Sequence, residues 1–333
     1  MLAFHNGVRA QAIVAAAVGS IVVGQADAHV IAGEREFPIT LTIGDPGVAD
    51  EASIPILTYQ RQPDDPGTGR AYQYNISADF YKRVTENVSI GVSDGYSIRT
   101  SQFGKNQTGF QDLNVILKYR TWVDAPHEAI VSLGMIRELG RTGTSRVGAD
   151  EYGSTTPTIY FGKGFGDVPV PLLRPFAITG TLGYTFADKK LKASGVAPPG
   201  FGASAASGVS GLAAEQFNRG YANRLTGGVS LQYSLPYLRS QVRDVGLPDF
   251  LNRFIPLVEV AYSSPASRPS NLGTQVVVAP GFIYVAKDYQ IGVEALIPAN
   301  RASGRFVGVI AQLHVFFEDL FPMTIGKPLF GGE

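Results

Sequence analysis

The sequence predicts an all-β protein, an antiparallel transmembrane β-barrel of about twelve strands that is preceded by a cleaved signal peptide. Three observations support this fold class. Apolar and polar residues alternate over long runs, a short apolar segment lies near the N-terminus, and charged residues make up only 17% of the chain. That charged fraction is below the roughly 25% of an ordinary soluble domain, so the composition is unusual for a soluble protein.

The first 28 residues have the features of a secretory signal. Arg9 supplies a weakly positive start, residues 10–24 form a short apolar stretch, and Ala26-Asp27-Ala28 offers small residues for cleavage. We expect cleavage after Ala28, because the apolar stretch is shorter than the roughly 20 residues of a spanning helix. No later segment reaches that length without a charge or a helix breaker. A mature chain that crosses a membrane must therefore do so as a closed barrel, which satisfies its backbone hydrogen bonds in lipid.

Charge and cysteine content exclude several function classes. The 28 basic and 28 acidic residues balance, and removal of Arg9 and Asp27 with the signal leaves the balance at zero. A polybasic chain that binds nucleic acid is therefore disfavoured. The absence of cysteine excludes disulfides, thiolate metal sites and cysteine nucleophiles, and it is compatible with an oxidising periplasm.

The alternation defines two faces on each predicted strand. Near residue 230, Leu225, Val229 and Leu231 alternate with Arg224 and Ser230. These runs are longer than the roughly 5 to 6 residues of a typical soluble strand, and they match the about 9 to 11 of a membrane-spanning strand. The predicted strands lie near 53–61, 70–82, 86–99, 107–122, 128–139, 156–165, 171–187, 220–235, 253–264, 273–284, 288–297 and 304–317.

The connections between these strands alternate in length. Outer-membrane barrels carry short periplasmic turns and longer outer loops, and the longest predicted outer loop is the Gly/Ala/Ser-rich stretch 188–219. Residues 236–252 break the rule, because they should form a periplasmic turn yet are long enough for a short interfacial helix. Aromatic residues at strand ends, including Trp122, Phe316 and Phe317, are expected at the membrane interface. The alternative to a membrane barrel is a β-sandwich, whose core also buries aromatic residues.

Three strand phrases resemble a known group of barrels. FIPLVEVAY (254–262), GVSLQYSLPY (228–237) and VIAQLHVFF (309–317) are similar to outer-membrane transporter-like proteins associated with the meta-cleavage pathway of phenol degradation. The resemblance covers most of the mature chain and implies passage of small, often aromatic or apolar compounds. It carries over no catalytic or binding residue. Such barrels usually end on an aromatic residue, whereas sixteen residues follow Phe317 here.

The domain organisation follows from these boundaries. The predicted segments are a signal peptide at 1–28, a periplasmic or lumen-plugging N-terminal segment at 29–52, the barrel at 53–317, and a periplasmic C-terminal tail at 318–333. Either terminal segment could enter the lumen, and the tail could instead dock under the barrel.

Polar residues on the inward faces are the candidate pore lining. They are Asp79, Asp112, Lys118, Arg120, Arg224, Glu259, Glu294, Gln312 and His314. Rings of side chains and pore width set selectivity, so mixed signs predict a weak ion preference. The alternative is that these residues pair across a packed lumen, because a barrel of about twelve strands lies between filled eight-stranded barrels and open sixteen-stranded porins.

Enzymatic motifs are weak in this chain. Glu259 and Glu294 could act as paired catalytic carboxylates, but no nucleophile is placed between them by the sequence. The mature chain keeps His29, His127 and His314, and none has hydrolase-motif spacing to a serine and an aspartate. A triad assembled across strands is a minor alternative. The sequence predicts no enzyme activity, no cofactor and no metal.

The sequence therefore predicts a Gram-negative outer-membrane channel for passive diffusion of small molecules. Hydrophobic cargo is a hypothesis from the resemblance and from the inward residues Ile116, Phe306 and Ile310. The alternatives are a barrel-embedded lipid hydrolase and a structural or adhesive barrel that binds a partner through its 188–219 loop. Expected partners are outer-membrane lipid and lipopolysaccharide, the barrel assembly machinery and the solute, with no nucleic acid. A monomer is expected.

Overall fold

A computed structural model of the chain describes residues 30–62, 69–189, 223–267 and 273–331. The predicted signal peptide and nearly all of the predicted 188–219 loop lie outside these ranges. Two short strands, β1 (Ile31–Ala32) and β2 (Arg35–Glu36), pair as a small hairpin near the start of the described chain.

The remaining strands form one closed antiparallel barrel. They are β3 (Glu51–Arg61), β4 (Ala71–Thr85), β5 (Val88–Ser101), β6 (Gln107–Phe110), β7 (Leu113–Asp124), β8 (Ala129–Leu139), β9 (Ser154–Gly164), β10 (Phe176–Ala187), β11 (Arg224–Tyr233), β12 (Phe254–Pro265), β13 (Gln275–Val285), β14 (Tyr289–Pro298) and β15 (Gly308–Phe316). Strands β6 and β7 both pair with β5 and make one interrupted barrel strand. The barrel closes where β15 pairs with β3, so within the described ranges the predicted count of twelve strands is confirmed.

The alternation predicted from sequence sets the two faces of the wall. On β11, Leu225, Val229 and Leu231 are exposed on the outside, whereas Arg224 and Ser230 are buried on the inside. Similar rows of exposed apolar side chains cover the other strands. A closed antiparallel barrel with an apolar exterior is the architecture of bacterial outer-membrane proteins. The protein is therefore located in the bacterial outer membrane. Among the described residues, no helix is both long and apolar enough to cross a bilayer.

The two ends of the barrel differ in their connections. One end carries the connections 86–87, 125–128, 165–175, 234–253 and 286–288, and we call it the turn end; the other is the loop end. The turn end matches the predicted periplasmic side. Residues 235–242 there form two short helical turns, α1 (Leu235–Tyr237) and the π-helical turn Leu238–Val242, instead of one interfacial helix.

Two sequence expectations about aromatic residues are wrong. Phe316 was expected at the membrane interface, but the inward alternation through Gln312 and His314 continues to it, and it is buried inside the barrel. Phe306 was expected to face the lumen from the last strand. It precedes that strand, at the loop end, where the Arg61 guanidinium lies 3.9 Å from its ring centroid.

The interior of the barrel is filled by the N-terminal segment. Residues 30–50, here called the plug, are almost entirely buried, and they contribute to two apolar clusters of the described residues. Leu41 packs against inward residues of the wall, while Phe37 and Ile39 pack with Phe316 near the turn end. The core of this protein therefore lies inside its barrel.

Candidate functional site

Two glutamates of the wall hold the middle of the plug. Glu259 on β12 and Glu294 on β14 face inward and are fully buried. Glu259 Oε2 accepts hydrogen bonds from the backbone amides of Thr42, at 2.7 Å, and Ile43, at 2.9 Å. The Thr42 hydroxyl donates to Glu294 Oε2 at 2.6 Å. These carboxylates therefore bind backbone and hydroxyl groups of the chain's own N-terminal segment.

A buried ion pair joins the plug to the opposite wall. Lys118 Nζ on β7 lies 3.3 Å from Asp45 Oδ1 of the plug and donates to the Asp45 carbonyl at 3.2 Å. Lys118 Nζ lies 4.9 Å from the ring centroid of Tyr81 and 5.2 Å from that of Tyr160. Such a pair is costly to break, because removal of one partner leaves a buried charge without compensation.

A third polar contact anchors the plug at the turn end. Arg35 Nε lies 3.2 Å from Glu128 Oε2, and its guanidinium stacks 3.6 Å from the ring centroid of Tyr237. The Tyr237 hydroxyl donates to Glu128 Oε1 at 2.7 Å. Burial, assisted by this hydrogen bond and by the Glu128 charge, raises the pKa of Tyr237 to about 12. Tyr237 is therefore a neutral donor at physiological pH.

Small inward residues of the wall make room for the plug. A Cβ atom at Gly292 would lie 2.4 Å from Leu41 Cδ1, and one at Gly228 would lie 2.3 Å from Ile43 Cγ2. Both distances are too short for any other residue without movement of the plug. Glycine at these two positions lets the backbone of the plug approach the wall closely.

A small cavity remains between plug and wall. Its volume is about 40 Å³, and plug residues Thr40 and Asp45 face wall residues Glu51, Asp79 and Lys118 across it. At roughly 10 to 15 Å³ per water molecule, it has room for a few waters. This space is too small for a drug-sized or sugar-sized solute, so with the plug in place the cavity is not a solute site.

The seam of the barrel brings together a serine, a histidine and a glutamate. Ser53 Oγ shares a 2.9 Å hydrogen bond with His314 Nδ1, and His314 Nε2 lies 3.3 Å from Glu51 Oε2. All three side chains are buried. No sequence motif marks this arrangement, because its members lie on β3 and β15, which meet only when the barrel closes.

The predicted pore-lining residues occupy several different environments. Asp79, Lys118, Gln312 and His314 border the cavity, and Glu259 and Glu294 hold the plug. The Arg224 Nε group donates to Ser263 Oγ at 3.0 Å on the neighbouring strand.

Two of the predicted pore-lining residues bind connections at the ends of the barrel. Asp112 accepts hydrogen bonds from the amides of Thr142, at 3.1 Å, and Gly143, at 3.0 Å, and so anchors the loop after β8. Arg120 donates to Asn87 Oδ1 at 3.0 Å and to the Glu86 carbonyl at 3.0 Å, and so braces the turn between β4 and β5.

Sequence reasoning did not identify the plug residues that meet these side chains. Arg35, Thr42 and Asp45 belong to a segment without periodicity, and neither Glu128, which binds Arg35, nor Ser132, which binds the plug at Pro46, lies in a recognisable motif. Ser132 donates to the Pro46 carbonyl at 2.6 Å. The inward glycines in otherwise regular strands were the one available signal of a close approach.

The inner wall also carries an apolar sector. Strands β12 to β15 and β3 contribute neighbouring inward residues that surround Leu41 of the plug. We call this set the apolar wall patch: Ile56, Leu257, Val277, Ala279, Ile283, Leu296 and Ile310. Of the other predicted apolar residues, Ile116 packs with Ile136 in a separate small cluster. The apolar residues of the lumen are therefore concentrated on one side, where Glu259 and Glu294 lie among them.

No family model and no curated protein sequence matches this chain. Solved structures with a similar fold include the KdgM porin, at 13% identity and a TM-score of 0.37 over 78% of this chain and 98% of that one. The COG4313 outer membrane channel from Pseudomonas putida F1 is similar at 8% identity and a TM-score of 0.42, over 81% of this chain and 96% of that one. The translocator domain of the autotransporter NalP from Neisseria meningitidis is similar at 13% identity and a TM-score of 0.39, over 81% and 89%. Its closed strand order and apolar exterior make this chain an outer-membrane β-barrel, and its lumen holds the chain's own N-terminal segment.

Proposed function

We propose that this protein is a channel for passive diffusion of small molecules and that the plug holds it closed. The observation that carries the proposal is that a separate segment fills the lumen, whereas the wall behind it outside the apolar wall patch is lined by polar side chains, many of them short. These include Ser77, Ser93, Ser132, Thr179 and Ser230. A wall of this kind becomes a water-filled passage when the plug leaves.

The attachment of the plug is compatible with reversible displacement. Its contacts with the wall through Glu259, Glu294 and Lys118 are non-covalent, and the chain has no cysteine that could fix it. The backbone hydrogen bonds of the wall are made between neighbouring strands. The barrel therefore keeps its own ladder in lipid without help from the plug.

For the solute we propose small hydrophobic or aromatic compounds. The apolar wall patch supports this class, because displacement of Leu41 would expose an apolar strip on one side of the passage, interrupted by the carboxylates of Glu259 and Glu294. The resemblance to barrels of the phenol meta-cleavage pathway points in the same direction. Contact with such a strip favours an apolar solute by about 25 cal/mol for each Å² of apolar surface that it covers.

A disulfide lock tests whether the plug closes the channel. A Cβ atom at Gly292 would lie 3.2 Å from Leu41 Cγ, the position that a cysteine sulfur would occupy. The double variant Leu41→Cys with Gly292→Cys can therefore form a disulfide, and no native thiol competes with it. We expect low conductance from the oxidised protein in planar bilayers and larger discrete steps after reduction.

The two single-cysteine variants are the matched controls, and their conductance should not respond to reduction. Equal conductance of the oxidised and reduced double variant would show that the plug does not close the passage. Silence from a barrel that lacks residues 30–50 but keeps its β-sheet circular dichroism spectrum would overturn the channel proposal itself.

One observation favours the hydrolase alternative as a second candidate. The His314 ring lies between the Ser53 hydroxyl and the Glu51 carboxylate, the three groups of a serine-hydrolase triad, but its Nδ1 faces the serine and its Nε2 the glutamate, the reverse of the triad orientation. The cavity beside them has a volume of only about 40 Å³ and gives an ester no access while the plug is in place. Ester hydrolysis by the reduced disulfide variant, absent from the oxidised form and from Ser53→Ala, would support this candidate. Equal rates for all three proteins would exclude it.

A further inference from the structure

The C-terminal tail presents apolar side chains outside the barrel. After β15 the chain forms the short helix α2 (Phe317–Leu320) and continues to the last described residue, 331. Six large apolar side chains in this stretch are 43 to 75% exposed: Leu320, Phe321, Met323, Ile325, Leu329 and Phe330. Exposed apolar surface on this scale marks an interaction site.

Hydrogen bonds fix the position of the tail at the turn end. The amides of Leu329 and Phe330 donate to the carbonyls of Arg83, at 3.1 Å, and Val84, at 2.9 Å. The first residue of β3, Glu51, pairs with Tyr81, so the end of β4 extends beyond its neighbour. The tail therefore lies against the end of β4 at the rim of the barrel.

Basic side chains of β4 hold the tail more firmly. Lys82 Nζ donates to the carbonyl of Ile325 at 3.0 Å, and the Arg83 guanidinium donates to the carbonyl of Gly326 at 3.0 Å. Both contacts use backbone oxygens of the tail. The apolar side chains of the tail are consequently left free to contact whatever lies beside the barrel rim.

Outward aromatic residues mark the membrane interface elsewhere at this end. Strand β7 carries Tyr119 and Trp122, both exposed. Two further pairs lie in edge-to-face contact on neighbouring strands, with ring centroids 4.7 Å apart for Phe176 and Tyr233 and 5.3 Å apart for Phe254 and Tyr284. Such rings prefer the headgroup level of a bilayer.

At the rim, the sector formed by β15, β3, β4 and β5 lacks this feature, and its outward aromatic Phe80 lies deeper in the wall, paired with Val92. Its outward residues nearest the turn end include Val315, Lys82 and Val88, and none of these is aromatic. The tail is attached beside this sector. Phe330 bonds to Val84, the next residue Thr85 pairs with Val88, and Val88 pairs with Tyr119. Phe330 therefore bonds one residue away from the row of backbone pairing that leads to Tyr119.

We propose that residues 317–331 complete the aromatic girdle in this sector and lie in the lipid headgroup region at the turn end. The occupant of the exposed apolar surface is then the membrane interface, because this surface is continuous with the lipid-facing band of the barrel. Phe321 and Phe330 serve there as interfacial anchors in the way that Trp122 does on β7. The proposal is independent of whether the lumen conducts.

Tryptophan fluorescence tests the proposal directly, because Trp122 is the single tryptophan of the chain. Wild-type protein in phosphatidylcholine vesicles supplies the interfacial reference. The variants Phe330→Trp and Phe321→Trp are made in a Trp122→Phe background. Leu329 and Phe330 bond through their amides, so these substitutions keep the docking hydrogen bonds. The same variants unfolded in urea supply the aqueous reference.

We expect the new tryptophans to emit near the wavelength of Trp122 and to be quenched by lipids that carry bromine near the headgroup end of the acyl chain. Emission at the urea wavelength, with quenching by iodide and none by brominated lipid, would overturn the proposal. A third outcome is blue-shifted emission that brominated lipid does not quench and that changes with the protein-to-lipid ratio. This result would assign the surface to a second copy of the protein and would also overturn the proposal.

Discussion

Glu259, in the middle of the barrel wall, accepts a 2.7 Å hydrogen bond from the backbone amide of Thr42 in the plug. The two residues are 217 positions apart in the chain. The contact joins a fully buried carboxylate to a segment that has no regular secondary structure at this point. The plug is therefore held in the closed state by hydrogen bonds to side chains of the wall.

Substitution of Glu259 should loosen the plug. Glu259→Leu leaves two buried amides without an acceptor, at a cost of about 1 to 3 kcal/mol each. We expect the open fraction in single-channel records to rise at least tenfold, with a smaller rise for Glu259→Gln, which keeps one acceptor oxygen. Gln232→Leu is the matched control, because Gln232 lies on the same inner wall but bonds to Thr179 of the neighbouring strand. An unchanged open fraction in Glu259→Leu would contradict the role given to this carboxylate.

The ion pair between Lys118 and Asp45 should show strong coupling. Lys118→Met leaves the Asp45 charge buried alone, and Asp45→Asn does the same to Lys118; each change costs about 3 to 5 kcal/mol. The double variant should recover much of this lost free energy, because neither buried charge is then left without its partner. The rate at which a water-soluble maleimide modifies Leu41→Cys measures plug displacement, and it should rise by about two to three orders of magnitude in each single variant. Additive effects in the double variant would show that the two groups act separately.

The docking of the tail should depend on pH through Glu318. Glu318 Oε1 accepts from the Asp50 amide at 2.9 Å and lies 2.8 Å from Arg83 Nε. Burial is the main cause that raises its pKa to about 8 from an ordinary value of 4.5, with the Glu51 and Asp50 charges adding to it and Arg83 opposing it. Between these values the unfolded chain is ionised while the docked carboxyl keeps its proton.

The docked tail therefore loses stability as pH rises from about 4.5 to about 8, and it loses no more above that range. We expect the thermal midpoint of tail release, followed by tryptophan emission of Phe330→Trp in the Trp122→Phe background, to fall across this range. Glu318→Gln should remove the slope. Glu86→Gln, at a partly exposed neighbour of Arg83, should retain it. A slope that persists in Glu318→Gln would assign the effect to another group.

The apolar wall patch should control the choice of solute. Ile310→Asn places an amide in the middle of the patch and should weaken the contact of an aromatic solute by about 1 kcal/mol, roughly fivefold in relative uptake. Uptake of toluene and of arabinose into vesicles, measured with the barrel that lacks residues 30–50, gives the ratio. Ser77→Asn adds bulk to a buried inward position outside the patch and should leave the ratio unchanged. Equal ratios in wild type and Ile310→Asn would remove the hydrophobic preference.

The strand pattern was accessible from sequence because side chains on a strand alternate between two faces with a period of two. Each strand carries its own alternation, so Asp79, Glu259, Glu294 and His314 could be placed on the inner face without knowledge of their neighbours. The number of strands followed from the same local pattern. The prediction for Phe316 was wrong because aromatic residues at strand ends usually lie at the membrane interface. Phe316, however, is two residues from His314 and four from Gln312, so it shares their inward face.

The contacts of those inward residues were decided by the tertiary structure alone. Ser53 meets His314 only at the seam where the first and last barrel strands pair. Thr42 reaches Glu259 only because the plug enters the lumen, and the plug has no periodicity that local reasoning could match to the wall. The sequence by itself determined which side chains face inward, since that is a local property of a strand. Barrel closure and the path of the plug determined what they bind, because those contacts join residues more than 200 positions apart.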